Sequence, residues 1–243
     1  LVDSIKLSHL EGKEPLMKTG QVRWYEKINK NSTYVVGLDP AMGTGGDYSA
    51  IEVWSLPELV QVAEWQSNRT DVRGQVKTMH DILTILNDEM NELGNRRPEI
   101  YWSVENNSLG EAALIVIDEM DEHKFPGEFL HEPKKKGIQK AIRKGFTTSY
   151  KTKITACMKL KSWIESDKMV PLSKNLIREF KTFIAKGKSF EAKSGETDDL
   201  VSATLLCIRQ IQVISRFDEE FMETLGESLD SEDDFNDPLP VLF

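Results

Sequence analysis

The sequence has few of the features that mark secreted or membrane proteins. It contains only two cysteines, Cys157 and Cys207, which lie far apart in segments of helical pattern, so they are expected to be buried free thiols in a reducing cytoplasm. No apolar run approaches the length of a membrane span, and the first residues lack the cationic-then-apolar order of a secretory leader. Because the chain begins with Leu1 rather than methionine, we expect it to be a piece of a longer protein.

Charge is unevenly distributed along the 243 residues, which carry a net charge of −9. Residues 133–193 contain 17 Lys and Arg against 4 Asp and Glu, which makes them a candidate surface for binding a polyanion. Residues 218–243 contain 10 acids and no base, and without apolar periodicity they are expected to form a disordered acidic tail.

The bases cluster most densely in a polar, glycine-punctuated stretch that reads as a loop or hairpin. We expect these side chains to bind DNA phosphates, although the same composition would also suit an ordinary solvated loop. The candidates are Lys134, Lys135, Lys136, Lys140, Arg143 and Lys144. Phosphate contacts carry no base information, so any cleavage that they support would have a loose site preference.

Apolar patterns predict an α/β fold. Segment 33–39 is almost wholly apolar, which is typical of a central strand buried on both faces. Segments 49–55 and 59–65 alternate and should form an antiparallel meander beside it. A helix, a strand, a helix, a strand, a basic excursion and a final helix follow. This order predicts a ribonuclease H-like mixed sheet with helices on both faces. We expect it to span residues 32–217, with residues 1–31 as a polar lead-in.

Acidic residues stand at the ends of elements that should meet at one edge of this sheet. Asp39 ends the first strand, Glu105 ends the fourth, and Asp198 and Asp199 begin the last helix. Carboxylates packed together repel each other, and a divalent cation removes that repulsion; oxygen ligands select Mg²⁺ or Mn²⁺. Two ions about 3.5–4 Å apart can hold the attacking and leaving oxygens of a phosphoryl displacement. Taken singly, each acid would also suit a turn or a helix cap.

Helical phase favours one of the two acids that begin the last helix. Asp198 lies above Val201, Leu205 and Ile208, on an apolar side, so we expect it to be the third catalytic ligand beside the two strand-end acids. Asp199 is kept as a neighbouring ligand or a substitute.

The glycine-rich segment 40–47, PAMGTGGD, lacks the GK[ST] ending of a Walker A loop, so it predicts no nucleotide site of that type. It loosely resembles the phosphate turns of actin-like and sugar-kinase folds. A turn that needs positive φ explains its glycines equally well. Separately from these glycines, we expect Asp47 at the end of the loop to support the metal ligands.

Four segments resemble the nuclease domain of the large terminase, the DNA-packaging motor of tailed phages. They are GLDPAMGTGGDYSAI (37–51), WSVENNSLG (102–110), GFTTSYKTK (145–153) and GETDDLVSATLLC (195–207). The resemblance implies a Mg²⁺- or Mn²⁺-dependent endonuclease, with two ions, that cuts concatemeric double-stranded DNA. It carries over a catalytic triad of Asp39, Glu105 and one acid of the DD pair.

The resemblance also implies partners and a place of action. An ATPase domain would precede Leu1 in the full-length chain, and the portal or prohead and the small terminase subunit would be partners. The work would be done in the cytoplasm of the bacterial host, without a membrane. Other hypotheses are a junction resolvase or transposase, an actin-like ATP-binding domain, and a packaging module whose main role is protein docking.

Overall fold

The computed structural model describes residues 1–133, 144–187 and 189–215, and at its centre lies a mixed sheet of seven strands. The strands follow the order β1-β2-β5-β4-β3-β6-β7 across the sheet. They are β1 (Met17–Thr19), β2 (Val22–Trp24), β3 (Thr33–Asp39), β4 (Ser49–Leu56), β5 (Val60–Ser67), β6 (Ile100–Val104) and β7 (Glu128–Phe129). β3 is parallel to β6 and β6 to β7, whereas the other neighbouring strands are antiparallel. The predicted mixed α/β sheet is confirmed.

Strand β3 lies between two hydrophobic layers because both of its faces are apolar. Val35 belongs to the layer on one side, and Val36 and Leu38 belong to the layer on the other. β3 pairs with β4 along the whole length of β3, from Thr33 opposite Leu56 to Asp39 opposite Ala50. The one charged residue of β3 is thus its last, at the edge where the sheet ends.

Helices cover both faces of the sheet, as predicted. They are α1 (Ser4–His9), α2 (Val72–Glu92), α3 (Ser108–Met120), α4 (Tyr150–Glu165), α5 (Lys174–Thr182) and α6 (Asp199–Ile214). α2 and α3 contribute to one layer, and α1, α4, α5 and α6 contribute to the other. α2 is an ordinary amphipathic helix capped by Asp71, which accepts a hydrogen bond from the amide of Gly74 at 2.8 Å.

Helix α6 is different, because 13 of its 16 residues are buried. It packs against β3 and β4 on one side and against α4 and α5 on the other. A helix enclosed in this way is buried on nearly every side, so its hydrophobic pattern marks no distinct solvent face.

Residues 1–31, which the sequence placed outside the domain as a lead-in, contribute α1, β1 and β2. β2 pairs with β5, with Arg23 opposite Glu64 and Trp24 opposite Ala63. The Arg23 guanidinium also donates to the buried Glu64 carboxylate at 2.8 Å. β1 and β2 have only three residues each, so they are too short to show a periodic pattern in the sequence.

A small hairpin lies apart from the main sheet, formed by β8 (Phe183–Lys186) and β9 (Ser189–Ala192). α5 ends at Thr182 because the next four residues pair as a strand of this hairpin.

Cys157 and Cys207 are both buried and free, as predicted. Among the residues that the structure describes, no helix is both long and apolar enough to cross a membrane. The predicted acidic tail, 218–243, and most of the basic stretch, 134–143, lie outside the described residues.

Candidate active site

Asp39 and Glu105 lie side by side where the two central parallel strands end. Leu38 of β3 is opposite Val104 of β6, so the next residue of each strand occupies the same level of the sheet. The Glu105 amide donates to the Leu38 carbonyl at 3.0 Å, which extends the pairing past the end of β6. The charge of the Glu105 carboxyl acts on the Asp39 carboxyl and raises its pKa, in addition to the effect of burial. The predicted convergence of strand-end acids therefore holds for this pair.

Helix α6 approaches β3 closely because position 37 is a glycine. A Cβ atom on Gly37 would lie 2.9 Å from the Cys207 sulfur and 3.0 Å from the Ala203 carbonyl oxygen. Asp39 follows Gly37 by two residues and so faces the same side of the sheet. Asp199 precedes Ala203 by one helical turn, on the same face of α6. The start of α6 is thus brought over the end of β3.

The four acids at this edge act on one another electrostatically. Burial raises the pKa of Asp39 well above its ordinary value, and the neighbouring Glu105 carboxyl raises it further. Asp199 and then Asp198 contribute smaller increments in the same direction. The charged groups that act most strongly on Asp39 are all carboxylates, so its ionised form is repelled by its nearest charged neighbours.

Asp199 is perturbed by a second set of acids. Burial raises its pKa to about 7, with further contributions from Glu179, Asp198 and Asp47, in that order. Asp47 is exposed in the glycine-rich loop, and its charge reaches Asp199 from there. Electrostatic interactions therefore link the five acids proposed from the sequence, and they add Glu179.

The donor set fits a hard divalent cation in its chemistry. It consists of carboxylate oxygens, which Mg²⁺ and Mn²⁺ prefer, and it lacks the imidazole and thiolate ligands of softer metals. Beside Glu105, the Oδ1 atom of Asn106 is buried and has no hydrogen-bond partner among the described residues. Within the same residues, no three His, Cys, Asp or Glu side chains already stand close enough to hold a metal ion.

The backbone around Glu105 is fixed by close contacts. Phe146 pairs with Glu105 as an isolated parallel bridge, and the Asn106 amide donates to the Phe146 carbonyl at 2.7 Å. A Cβ on Gly110 would lie 1.9 Å from the Glu105 carbonyl oxygen, and one on Gly145 would lie 2.5 Å from that of Val104. The glycines of WSVENNSLG and GFTTSYKTK are therefore needed to let α3 and the 145–148 segment pack against this strand end.

The glycine-rich loop is held by its own backbone contacts. Gln75 of α2 donates to the Ala41 carbonyl at 2.6 Å, and the Gly45 amide donates to the Asn68 carbonyl at 2.7 Å. Gly43 has φ of 70°, and a Cβ there would lie 2.2 Å from the Thr70 carbonyl oxygen. The glycines thus serve a tight turn against residues 68–71, and the turn presents Asp47.

Arg209 is a buried cation near this edge that the sequence analysis did not single out. Its guanidinium donates to the Thr148 hydroxyl at 3.2 Å, the Thr147 carbonyl at 3.1 Å and the Glu132 carboxylate at 3.2 Å. It also lies 5.0 Å from the centre of the Phe146 ring. Arg209 therefore ties together the two flanks of segment 134–143. The only signal in the sequence is one Arg inside the apolar run of α6.

Of the six predicted DNA-binding bases, only Lys144 lies within the described residues. Its ammonium donates to Asp118 at 2.6 Å and to Glu122 at 2.7 Å. The hydrogen bond to Asp118 raises the pKa of Lys144, followed by the bond to Glu122. DNA would have to compete with both carboxylates for this ammonium. The other five bases lie outside the described residues, and their role stays a prediction.

Comparison with known proteins agrees with this fold. The fold is similar to the large terminase nuclease of thermophilic phage G20c with bound magnesium, at 17% identity and a TM-score of 0.60, over 84% of this chain and 95% of that chain. It is also similar to the human cytomegalovirus terminase nuclease domain, manganese-soaked and inhibitor-bound, at 14% identity and a TM-score of 0.56, over 89% of this chain and 97% of that chain. The model of the terminase RNase H-like domain family matches residues 36–210. The chain therefore belongs to the family of terminase RNase H-like domains.

Proposed function

We propose that this domain is a divalent-metal-dependent endonuclease that cuts concatemeric double-stranded DNA during genome packaging. The observation that carries the proposal is the meeting of Asp39, Glu105 and the acidic start of α6 at one sheet edge, where the charged groups that act most strongly on Asp39 are carboxylates. The similar phage structure is a nuclease that has been seen with magnesium, cobalt and zinc, which supports a divalent metal here as well.

We assign the metal-ligand role to Asp39, Glu105 and Asp199, with Asp198 and Asp47 as supporting acids. The sequence favoured Asp198 because of the apolar phase of α6, but α6 is buried all round, so that phase does not discriminate. The face of α6 that contacts β3 is the better guide to which of the two acids lies nearer to Asp39. Asp199 stands one turn above Ala203, which touches β3 at Gly37, and it acts on Asp39 more strongly than Asp198 does.

In this mechanism the protein holds the reacting groups in place. A bound Mg²⁺ or Mn²⁺ would supply Lewis acidity at the phosphate and lower the pKa of a water molecule. Asp39 and Glu105 fix the site on two rigid strand ends, and the contacts of Phe146 and Gly110 prevent Glu105 from shifting. The basic stretch 134–144 would grip phosphates without reading bases, which suits cleavage with loose sequence preference.

The remaining assignments are part of the same proposal. Double-stranded DNA is the substrate, two metal ions are used, and cleavage takes place in the cytoplasm of a bacterial host. An ATPase domain would precede this one in the full-length chain, and the portal or prohead and the small terminase subunit would be partners. The acidic segment 218–243 is proposed to be a disordered tail.

Cleavage by the 243-residue chain tests the proposal. Linear duplex, supercoiled plasmid and a four-way junction would be incubated with Mg²⁺, Mn²⁺ or EDTA. We expect both duplex substrates to be cut with either metal, no cutting in EDTA, and no requirement for the junction. Cutting that persists in EDTA, or that needs a branched substrate, would contradict the proposal; the second result would favour a resolvase.

A further inference from the structure

Glu179 is a buried carboxylate whose oxygens are both occupied by donors from other parts of the chain. It lies on α5 and is 2% exposed. Its Oε1 atom accepts from the Gln66 amide at 3.1 Å and from the Thr197 hydroxyl at 3.0 Å, and its Oε2 atom accepts from the Val201 amide at 3.1 Å. Three donors on one buried carboxylate fix its position.

The Leu200 and Val201 amides are the two that an N-cap residue normally satisfies. Asp198 is the N-cap of α6, so Leu200 and Val201 occupy the second and third helical positions. Aspartate is among the best capping residues, yet the Asp198 side chain makes no capping hydrogen bond. Glu179 accepts from the Val201 amide instead, from a different helix.

Most of the other described helices are capped by their own N-cap residue. α4 is capped by Ser149, which accepts from the amide of Thr152, and α5 is capped by Ser173, which accepts from the amides of Asn175 and Leu176. The N-cap of α3, Asn107, makes no side-chain capping bond, like that of α6. α6 differs from α3 in that a carboxylate from another helix accepts from its first turn, which carries two of the site acids.

We propose that Glu179 is a positioning residue for the active site. By capping α6 from α5, it leaves the Asp198 carboxylate free of capping and holds the first turn of α6 in place, so that Asp199 faces Asp39. Through Gln66 and Thr197 it also ties that turn to the end of β5 and to the loop before α6. This inference rests on the proposed function. Glu179 itself acts through these acids rather than on the metal, because its oxygens are already engaged.

Two substitutions separate capping from general stability. Glu179→Ala removes the acceptor oxygens, so the Asp198 side chain is expected to turn back and cap its own helix. Glu179→Gln keeps one carbonyl oxygen for the Val201 amide. We expect Glu179→Ala to weaken Mn²⁺ binding and slow plasmid cleavage by about 10- to 100-fold, the usual effect of losing a group that orients a ligand. Glu179→Gln should recover most of both.

The measurements are free Mn²⁺ by electron paramagnetic resonance, plasmid cleavage, and a melting curve in EDTA. Asp3→Ala is the matched control, because Asp3 caps α1 by accepting from the amides of Ile5 and Lys6, away from the site acids. It should lower the melting temperature and leave Mn²⁺ affinity unchanged. If Glu179→Ala does not fold, Thr197→Val removes one donor to Glu179 and should weaken Mn²⁺ binding a few-fold.

The outcomes separate this inference from the proposed function. Wild-type Mn²⁺ affinity in Glu179→Ala, or in Thr197→Val if only that variant folds, would overturn the positioning role while the nuclease assignment stands. Equal losses in Glu179→Ala and Glu179→Gln would also overturn it, because charge rather than capping would then be what matters. A wild-type chain that neither binds Mn²⁺ nor cuts DNA would overturn both.

Discussion

Replacing Asp199 with asparagine should stabilise the metal-free domain at alkaline pH. The ordinary pKa of this carboxyl is 3.8, and in the folded protein it is raised to about 7, first by burial and then by Glu179, Asp198 and Asp47. The folded state therefore binds this proton more tightly than the unfolded state does. Stability that is present below the unfolded pKa is lost as the pH rises from about 4 to about 7.

The size of the effect follows from the shift. A pKa difference of roughly 3 between the folded and unfolded states would change the free energy of unfolding by at most about 4 kcal/mol. Asp199 is half-buried, so solvent screening reduces this to about 1–2 kcal/mol. A charge at a helix N-terminus gains only about 0.3–1 kcal/mol in the opposite direction, and part of this is already offset by the neighbouring acids. The repulsion should therefore win over the helix dipole.

Melting curves in EDTA at pH 5 and pH 8 measure this balance. At pH 8, Asp199→Asn should melt about 2–8 °C above wild type, since 1 kcal/mol corresponds to about 2–4 °C for a domain of this size. The gap should narrow at pH 5, where the wild-type carboxyl is mostly protonated. Excess Mg²⁺ should reverse the order, because only the wild type gains full binding energy.

Asp88→Asn is the matched control, because Asp88 is exposed on α2 and accepts a hydrogen bond only from its neighbour Asn87. Its stability should stay within about 0.5 kcal/mol of wild type at both pH values. If Asp199→Asn is less stable than wild type at pH 8 in EDTA, the carboxylate is a stabilising helix charge, and the repulsion argued here is wrong.

Three further predictions concern the helix contact, the buried arginine and the basic stretch. Gly37→Ala should cost about 1–3 kcal/mol in a denaturant melt and reduce cleavage by about 100-fold, because α6 must move; unchanged cleavage would mean that the close approach does not position the acids. Arg209→Leu, which leaves Glu132 unpaired, should cost about 3–5 kcal/mol by the same melt, and a loss under 1 kcal/mol would contradict the clamp. Alanine at residues 134–136 should flatten the slope of log DNA affinity against log salt by about 2–3 in a titration, and an unchanged slope would leave those lysines facing solvent.

The sequence was sufficient to predict the strand-end acids. Asp39 and Glu105 each follow an apolar strand, and parallel pairing necessarily brings such ends to one edge, so their contact could be anticipated. The choice between Asp198 and Asp199 could not be predicted in the same way. It depends on which face of α6 meets Gly37, and a helix buried all round gives no pattern from which to read that face.

Contacts between distant segments account for the rest of what was missed. Glu179 and Arg209 are single charged residues within ordinary helical patterns, and their partners are 18 to 113 residues away along the chain. β1 and β2 are too short to have a period, and they join the sheet through pairing with β5. Local pattern cannot report such partners, because they depend on how the finished fold brings the segments together.

Asp39→Asn, measured for DNA cleavage and for stability on the same sample, tests the central claim most directly. If Asp39 is a metal ligand among repelling carboxylates, the variant should cut DNA more than about 100-fold more slowly than wild type. A loss of about 100-fold is the upper end of what removal of an outer-shell partner causes. The variant should melt at or above the wild-type temperature in EDTA, because one repelling charge is gone. A variant that melts early yet still cuts plasmid with Mg²⁺ or Mn²⁺ would show that Asp39 only forms a turn, and it would contradict the metal site proposed at this edge.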